Sequence, residues 1–358
     1  MTTPDDIAHQ RLHNQHIAQP TFNTPAEVVG WLGAIQAQDY LGALWTIGLR
    51  MNQATEAAIE QAVADRTIIR TWPMRGTLHF VAPEDARWML NLLTPPVIAR
   101  TAPRHRQLEL DQAVFARSKG LFVKALQGGK QLTREDMYAV LERGKISSVG
   151  QRGYHILVQL AQEGLICWGP RSDKQQTFVL LDEWIPQSCQ LDRDEALAAV
   201  ATRYFTGHGP ATLPDFMWWT GLKAADARTA LDLAAGQLAQ ASVDGKSYWM
   251  AQDTPALHNP APSVYLLPGF DEYMLGYTDR SAALAPQDAP KIHPGGNGVF
   301  SPTIVVDGRV VGSWKRTVKK RAVTVEFTPF RPFTAPEQDV IAEAAGRYGD
   351  FLGLPVVL

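Results

Sequence analysis

Between residues 132 and 184 the chain spells a helix, a break, a second helix and two apolar runs joined by a polar tip, and this order limits its possible folds more than any other feature. Thr133 stands three residues ahead of Asp136, the spacing of a capping box with Asp in place of Glu, which predicts a helix running through Leu141. Residues 149–163 place apolar side chains at helical spacing, predicting a second, amphipathic helix that Gly164 ends. The stretch LICWGPRSDKQQTFVLLDEW, residues 165–184, then reads as a hairpin, because its two β-forming runs flank a tip of Gly, Pro and charged residues.

The same order recurs on both sides without any close repeat of sequence. Thr24-Pro25 pairs a capping residue with proline at the first helical position, and Val28, Val29, Leu32 and Ile35 follow at helical spacing, so a helix is expected to end near Ile35. A second helix over 55–64 leads into TWPMRGTLHFV at 71–81, rich in β-formers and stopped by Pro83. Helical patterns over 195–205, 213–220 and 223–235 precede a strand-like run at 241–250. Helix, turn, helix and hairpin make the winged helix-turn-helix unit, whose second helix can enter a DNA major groove. Beyond residue 261 the pattern changes to short β-rich runs at 263–267, 304–306, 310–311 and 323–327 between Pro/Gly-dense loops, followed by a helix over 335–348. The expected architecture is α+β: winged-helix units at 1–100, 101–190 and 191–260, then a β-rich, barrel-like region at 261–358.

Composition excludes several function classes. No apolar run approaches the ~18 residues of a membrane span, and the opening MTTPDDIAHQRLHNQHIAQP is polar and acidic where a signal peptide is basic then apolar, so a cytoplasmic, nucleoid-associated protein is expected. Cys167 and Cys189 are the two cysteines and lack the spacing of a zinc site or disulfide framework; the nine histidines show no metal spacing either, and neither a metal nor a cofactor is expected. A formal net charge of -2 argues against a histone-like polyanion binder, so a nucleic-acid surface has to be local. Residues 308–321 supply one candidate, with Arg309, Lys315, Arg316, Lys319, Lys320 and Arg321 and no acidic residue after Asp307. Arg100, Arg104, Arg106, Arg117, Lys119, Lys124 and Lys130 form a second basic excess, and either set also fits an ordinary solvated face.

Gln36 and Gln38 are the unusual polar pair, standing where a helix ends and followed by Asp39-Tyr40. Residues two apart point about 200° from each other in a helix but share a face in extended chain, so joint action requires the chain to leave the helix by about Gln36. An amide takes no proton at neutral pH, yet each offers an acceptor and two donors, enough to hold a water against a reacting carbon. Such chemistry suits a leaving group that is already activated: an N7-alkylated purine carries a positive charge and departs without a general acid. From spacing alone, a plain helix-capping role is the favoured reading.

Four stretches resemble a known family: Gln36-Ala37-Gln38 within LGAIQAQDYLGALW, MRGTLHFV at 74–81, LLPGFDEYMLGYTDR at 266–280 and GVFSPTIVVDGRVVGSWKR at 298–316. They resemble the winged-helix family that contains the azinomycin-resistance DNA glycosylase and the bacterial glycosylases that unhook interstrand crosslinks. The resemblance implies three tandem winged-helix units with a β-rich C-terminal region, arranged as a C around duplex DNA, and a catalytic Gln-x-Gln or Gln-x-Asp pair. It implies a monofunctional DNA glycosylase for bulky or crosslinked N7-alkylpurines, with alkylated duplex DNA as the partner and no obligate protein partner. The rival expectation is a non-catalytic winged-helix DNA-binding protein or transcription regulator.

Other residues carry weaker expectations. Asp39 could stabilise a cationic sugar or close a turn, while Arg75 and His79 could support the glutamines or be structural. Asp271 and Glu272 are the alternative acid/base candidates, with Asp279 beyond; neighbours on a strand face opposite ways, which favours structural roles. His13 and His16 form a lone i, i+3 pair, HPGGNG at 293–298 reads as a turn, and Trp218 and Trp219 read as core.

Overall fold

The computed structural model describes residues 3–254, 263–295 and 298–358. Its fold is mixed α+β in two compact units: Met1–Ile59 with Leu197–Leu358, and Glu60–Ala196. The turn expected at 293–298 falls in part outside the described residues.

The first unit opens with α1 (Pro4–Asn14), α2 (Pro25–Leu32), β1 (Ile35–Gln36) and α3 (Tyr40–Gly48), and α4 (Glu56–Ala64) carries the chain into the second. A Thr24–Glu27 capping box starts α2, and Gly33 at φ +74° stops it three residues before Ile35. The left-handed conformation favours glycine there, and a Cβ would also press on Arg203 Cβ at 3.3 Å. Gln36 is therefore strand, not helix.

The second unit contains β2 (Ile69–Met74), β3 (Thr77–Val81), α5 (Pro83–Leu93), α6 (Pro95–Gln107), α7 (Gln112–Leu126), β4 (Leu132–Thr133), α8 (Arg134–Arg143), α9 (Arg152–Gln162), β5 (Ile166–Ser172), β6 (Gln175–Leu180) and α10 (Leu181–Trp184). Arg75 and Gly76, both at positive φ, split the run read as one strand into the β2–β3 hairpin. Strand order within the unit is β3-β2-β5-β6-β4. The helix, helix, hairpin succession expected from residue 132 is present, its first helix begun by the Thr133–Asp136 capping box. Ile156, Leu157, Leu160 and Ala161 of α9 pack into one apolar cluster with Phe122, Met137, Leu141 and Phe178.

The chain returns to the first unit in α11 (Arg193–His208), followed by α12 (Leu213–Thr220), α13 (Ala224–Ala234), β7 (Leu238–Val243) and β8 (Lys246–Ala251). Then come β9 (Val264–Leu267), α14 (Glu272–Leu275), α15 (Ala289–Ile292), β10 (Thr303–Val306), β11 (Arg309–Lys319), β12 (Ala322–Pro329), α16 (Ala335–Leu352) and β13 (Val356–Val357). The expected barrel-like closure is corrected: these strands form an open five-stranded sheet in the order β13-β12-β11-β10-β9. Its edge strands are the short β13 and β9, too short to join each other, and α16 buries Ile341, Ala344, Ala345 and Tyr348 instead. Trp45 of α3, Trp314 of β11 and Tyr348 of α16 meet with ring centroids 5.1 and 5.2 Å apart, tying helix and sheet to the segment that follows the glutamines. Trp219 is core as expected, whereas Trp218 is 41% exposed. Among the described residues no helix is long and apolar enough to cross a membrane.

Candidate active site

Between α2 and α3 the chain carries Gln36 at the end of β1, then Ala37, and Gln38 in a bend. Gln36 is buried and Gln38 exposed. Gly33 caps α2 and Asp39 stands at the N-cap of α3, so neither glutamine occupies a cap position.

A buried carboxylate holds this strand. The Gln36 backbone N–H donates to Glu272 Oε1 at 3.1 Å. Trp219 Nε1–H donates to Glu272 Oε2 at 2.9 Å, and His208 Nε2 lies 3.1 Å from the same oxygen. Glu272, His208 and Trp219 are all fully buried. Tyr204 stacks on the His208 ring at 4.8 Å and donates its hydroxyl to the Gly276 carbonyl. Burial, ahead of the Asp215 carboxylate, holds that phenol well above the usual tyrosine range, so it stays a neutral donor.

Asp271, the neighbour of Glu272, secures the other side of the segment. It accepts from both terminal nitrogens of Arg50 at 3.0 Å, and Arg50 also donates to the Thr46 carbonyl of α3 and to Gln15. Asp271 caps the first turn of α14 and Glu272 begins that turn, so the pair is not on a strand. One acid anchors the strand before α3 and the other the end of α3. Sequence reasoning assigned both a structural role and missed what they support; two acids inside the apolar run LLPGFDEYML were the available signal.

Asp39 is paired with Arg316 Nη2 at 3.1 Å. Gly42 lies so close that a Cβ there would come within 2.5 Å of Asp39 Oδ2. The Arg316 guanidinium also sits over the Tyr348 ring, 5.9 Å from its centroid, and burial pushes the Tyr348 phenol up to about 12. Of the expected DNA-binding residues, Lys315, Lys319 and Lys320 are exposed on the outer half of the β11–β12 hairpin, which Lys320 and Arg321 turn. Arg309 lies at the opposite end of β11, paired with Asp5 at 2.6 Å. The structure thus brings three of the five together and commits Arg316 and Arg309 to acids.

Arg75 and His79 belong to the second unit, where both sit on the β2–β3 hairpin. His79 is buried, its Nδ1 3.0 Å from the Thr77 carbonyl and its Nε2 3.1 Å from Arg75 Nη2. A carbonyl only accepts, so Nδ1 carries the proton and Nε2 accepts from Arg75. Among the described residues no group of three or more potential ligands could hold a metal ion. Cys167 is buried, which pushes its thiol pKa up, and both cysteines are free.

Comparison with known proteins agrees across nearly the whole chain. The model of the AlkZ-like DNA glycosylases matches residues 29–351. The interstrand DNA cross-link repair glycosylase of Streptomyces sahachiroi is 29% identical over 362 residues, covering 94% of this chain and 95% of that protein. The solved structure of the Streptomyces sahachiroi DNA glycosylase AlkZ superposes with a TM-score of 0.81 at 25% identity, with both chains fully covered. A chain matched by the family model over residues 29–351, in a fold shared end to end with such an enzyme, belongs to the AlkZ-like DNA glycosylase family.

Proposed function

We propose that this glycosylase hydrolyses the N-glycosidic bond of N7-alkylpurines in duplex DNA, bulky and crosslinked adducts included, with Gln36 and Gln38 holding the attacking water. The observation that carries the reading is the glutamine pair standing just past α2, with Gln36 at the end of β1 held through its backbone by Glu272 and Gln38 exposed in the bend before α3. The N9–C1′ bond breaks with its electron pair moving to the purine, which cancels the charge of the N7-alkylated ring. Water held by the amides bonds to C1′ and loses a proton to solvent, leaving an abasic site. Asp39, 40% exposed at its side chain, adds a negative charge beside the pair.

Binding follows from the same reading. The segments 1–100, 101–190 and 191–260 act as winged-helix units, supported by the helix, helix, hairpin order over 132–180 and by α11 to β8. Lys315, Lys319 and Lys320 bind phosphates of the duplex from the β11–β12 hairpin, and the protein works in the cytoplasm at the nucleoid. Bulky adducts do not enter a snug base-flipping pocket easily, so a groove-tracking scaffold suits them. The test is incubation of the purified protein with duplex DNA carrying N7-methylguanine or a nitrogen-mustard crosslink. Abasic sites are expected; binding without base release would favour a non-catalytic DNA-binding protein.

A further inference from the structure

We infer that Glu272 is a positioning residue for base release, setting the place of Gln36 through its backbone; this rests on the glutamine reading above. Three nitrogen donors converge on the two oxygens of Glu272: the Gln36 amide at 3.1 Å, the Trp219 indole at 2.9 Å and His208 Nε2 at 3.1 Å. Only an acceptor-only side chain satisfies all three, and among the carboxylates Glu has the reach from α14 to β1. The surroundings hold the carboxylate still: Tyr204 stacks on His208, and a Cβ on Gly276 would lie 2.8 Å from His208 Cδ2, so the ring is enclosed on that side as well. His208 Nδ1 is buried with no hydrogen-bond partner among the described residues. A ring doubly protonated there would leave a buried donor unpaired, so the proton belongs on Nε2, facing Glu272. Gln36 is therefore held from its main chain. The requirement is geometric, because a displacement on the order of 1 Å suffices to lower a reaction about a hundredfold.

The experiment compares E272Q, Q36A and the double variant E272Q/W219F in single-turnover base release from duplex DNA carrying N7-methylguanine, with DNA affinity measured alongside. An amide at 272 must point its NH2 group either at the Gln36 N–H or at the Trp219 N–H, so E272Q should lose about a hundredfold in base release while affinity stays within about twofold. Removing the indole donor eases the conflict in part: the amide oxygen accepts from Gln36 and its NH2 donates to His208 Nε2, at the cost of a buried Nδ1–H left without a partner. The double variant should therefore recover about tenfold over E272Q, which a residue that only supported the fold would not do. Base release by E272Q at the wild-type rate, with Q36A inactive, overturns the positioning role alone, as does a double variant no faster than E272Q. Base release by Q36A at the wild-type rate overturns the glutamine reading and this role with it. If E272Q does not fold, amide exchange in the wild-type protein decides: a protected Gln36 amide supports the bond, and exchange as fast as in open loops overturns it.

Discussion

At the scale of single residues, Gln36 is buried and Gln38 exposed. Q36A and Q38A are each expected to lower single-turnover base release strongly while leaving DNA affinity and melting temperature nearly unchanged, because an amide that orients water acts in the transition state. A capping residue would behave otherwise, with its loss costing on the order of 1 kcal/mol of stability and no activity per folded molecule. That the chain leaves the helix before Gln36 was legible from the geometry that joint action of the two glutamines demands. Glu272 was not, because adjacent acids were read as facing opposite sides of a strand, whereas they open a helical turn and both point inward. Local pattern contains nothing about which distant amide a carboxylate will meet.

At the scale of elements, the β11–β12 hairpin separates two kinds of basic residue. From Trp314 to Lys319, β11 has lost β10 and pairs with β12 alone, so Lys315, Lys319 and Lys320 lie on the outer half. Replacing these three lysines by alanine should flatten the plot of log affinity against log salt, by roughly 0.9 for each lysine that neutralises a phosphate. R316A should do something different, reducing base release and melting temperature more than the salt slope, because Arg316 is bound to Asp39 beside the glutamines. Titrations at several salt concentrations and a melting curve distinguish the two variants. The first strand of the hairpin was under-read in the sequence: only 310–311 of β11 registered as β-rich, since Gly312 and the charged residues after it break the apolar run. A two-stranded ribbon with solvent on its faces needs no such run. The barrel expectation failed for the related reason that short β runs look alike whether or not their edges meet.

At the scale of the whole molecule, helix starts were the most legible features, since Thr24 and Thr133, both read as caps, each form a capping box. The joining of the two chain ends into one unit was not legible, because periodicity reports local structure only. The pH dependence of unfolding also belongs here. Burial lowers the pKa values of His13, His105 and His155, and it lowers His16 to about 4, helped by the charges of His13 and Arg50. In the unfolded chain these rings take up protons near their ordinary value of about 6.5, and in the fold only at lower pH. Between those limits the unfolded state binds more protons, so stability should fall as pH drops from about 6.5 toward 4 and level off below. Melting curves across that range check the sign, and H16N should make the fall shallower.

The contact between Gln36 and Glu272 spans 236 residues of sequence, and this has a consequence for protein synthesis. Residues 60–196 are contiguous and can begin to fold as they leave the ribosome. Gln36 emerges before them but must wait for its partner, for roughly 12 to 50 seconds at translation rates of about 5–20 residues per second. During that interval the nascent chain carries Gln36 without the carboxylate that accepts from its backbone in the fold, so this contact is among the last to form in the making of the protein.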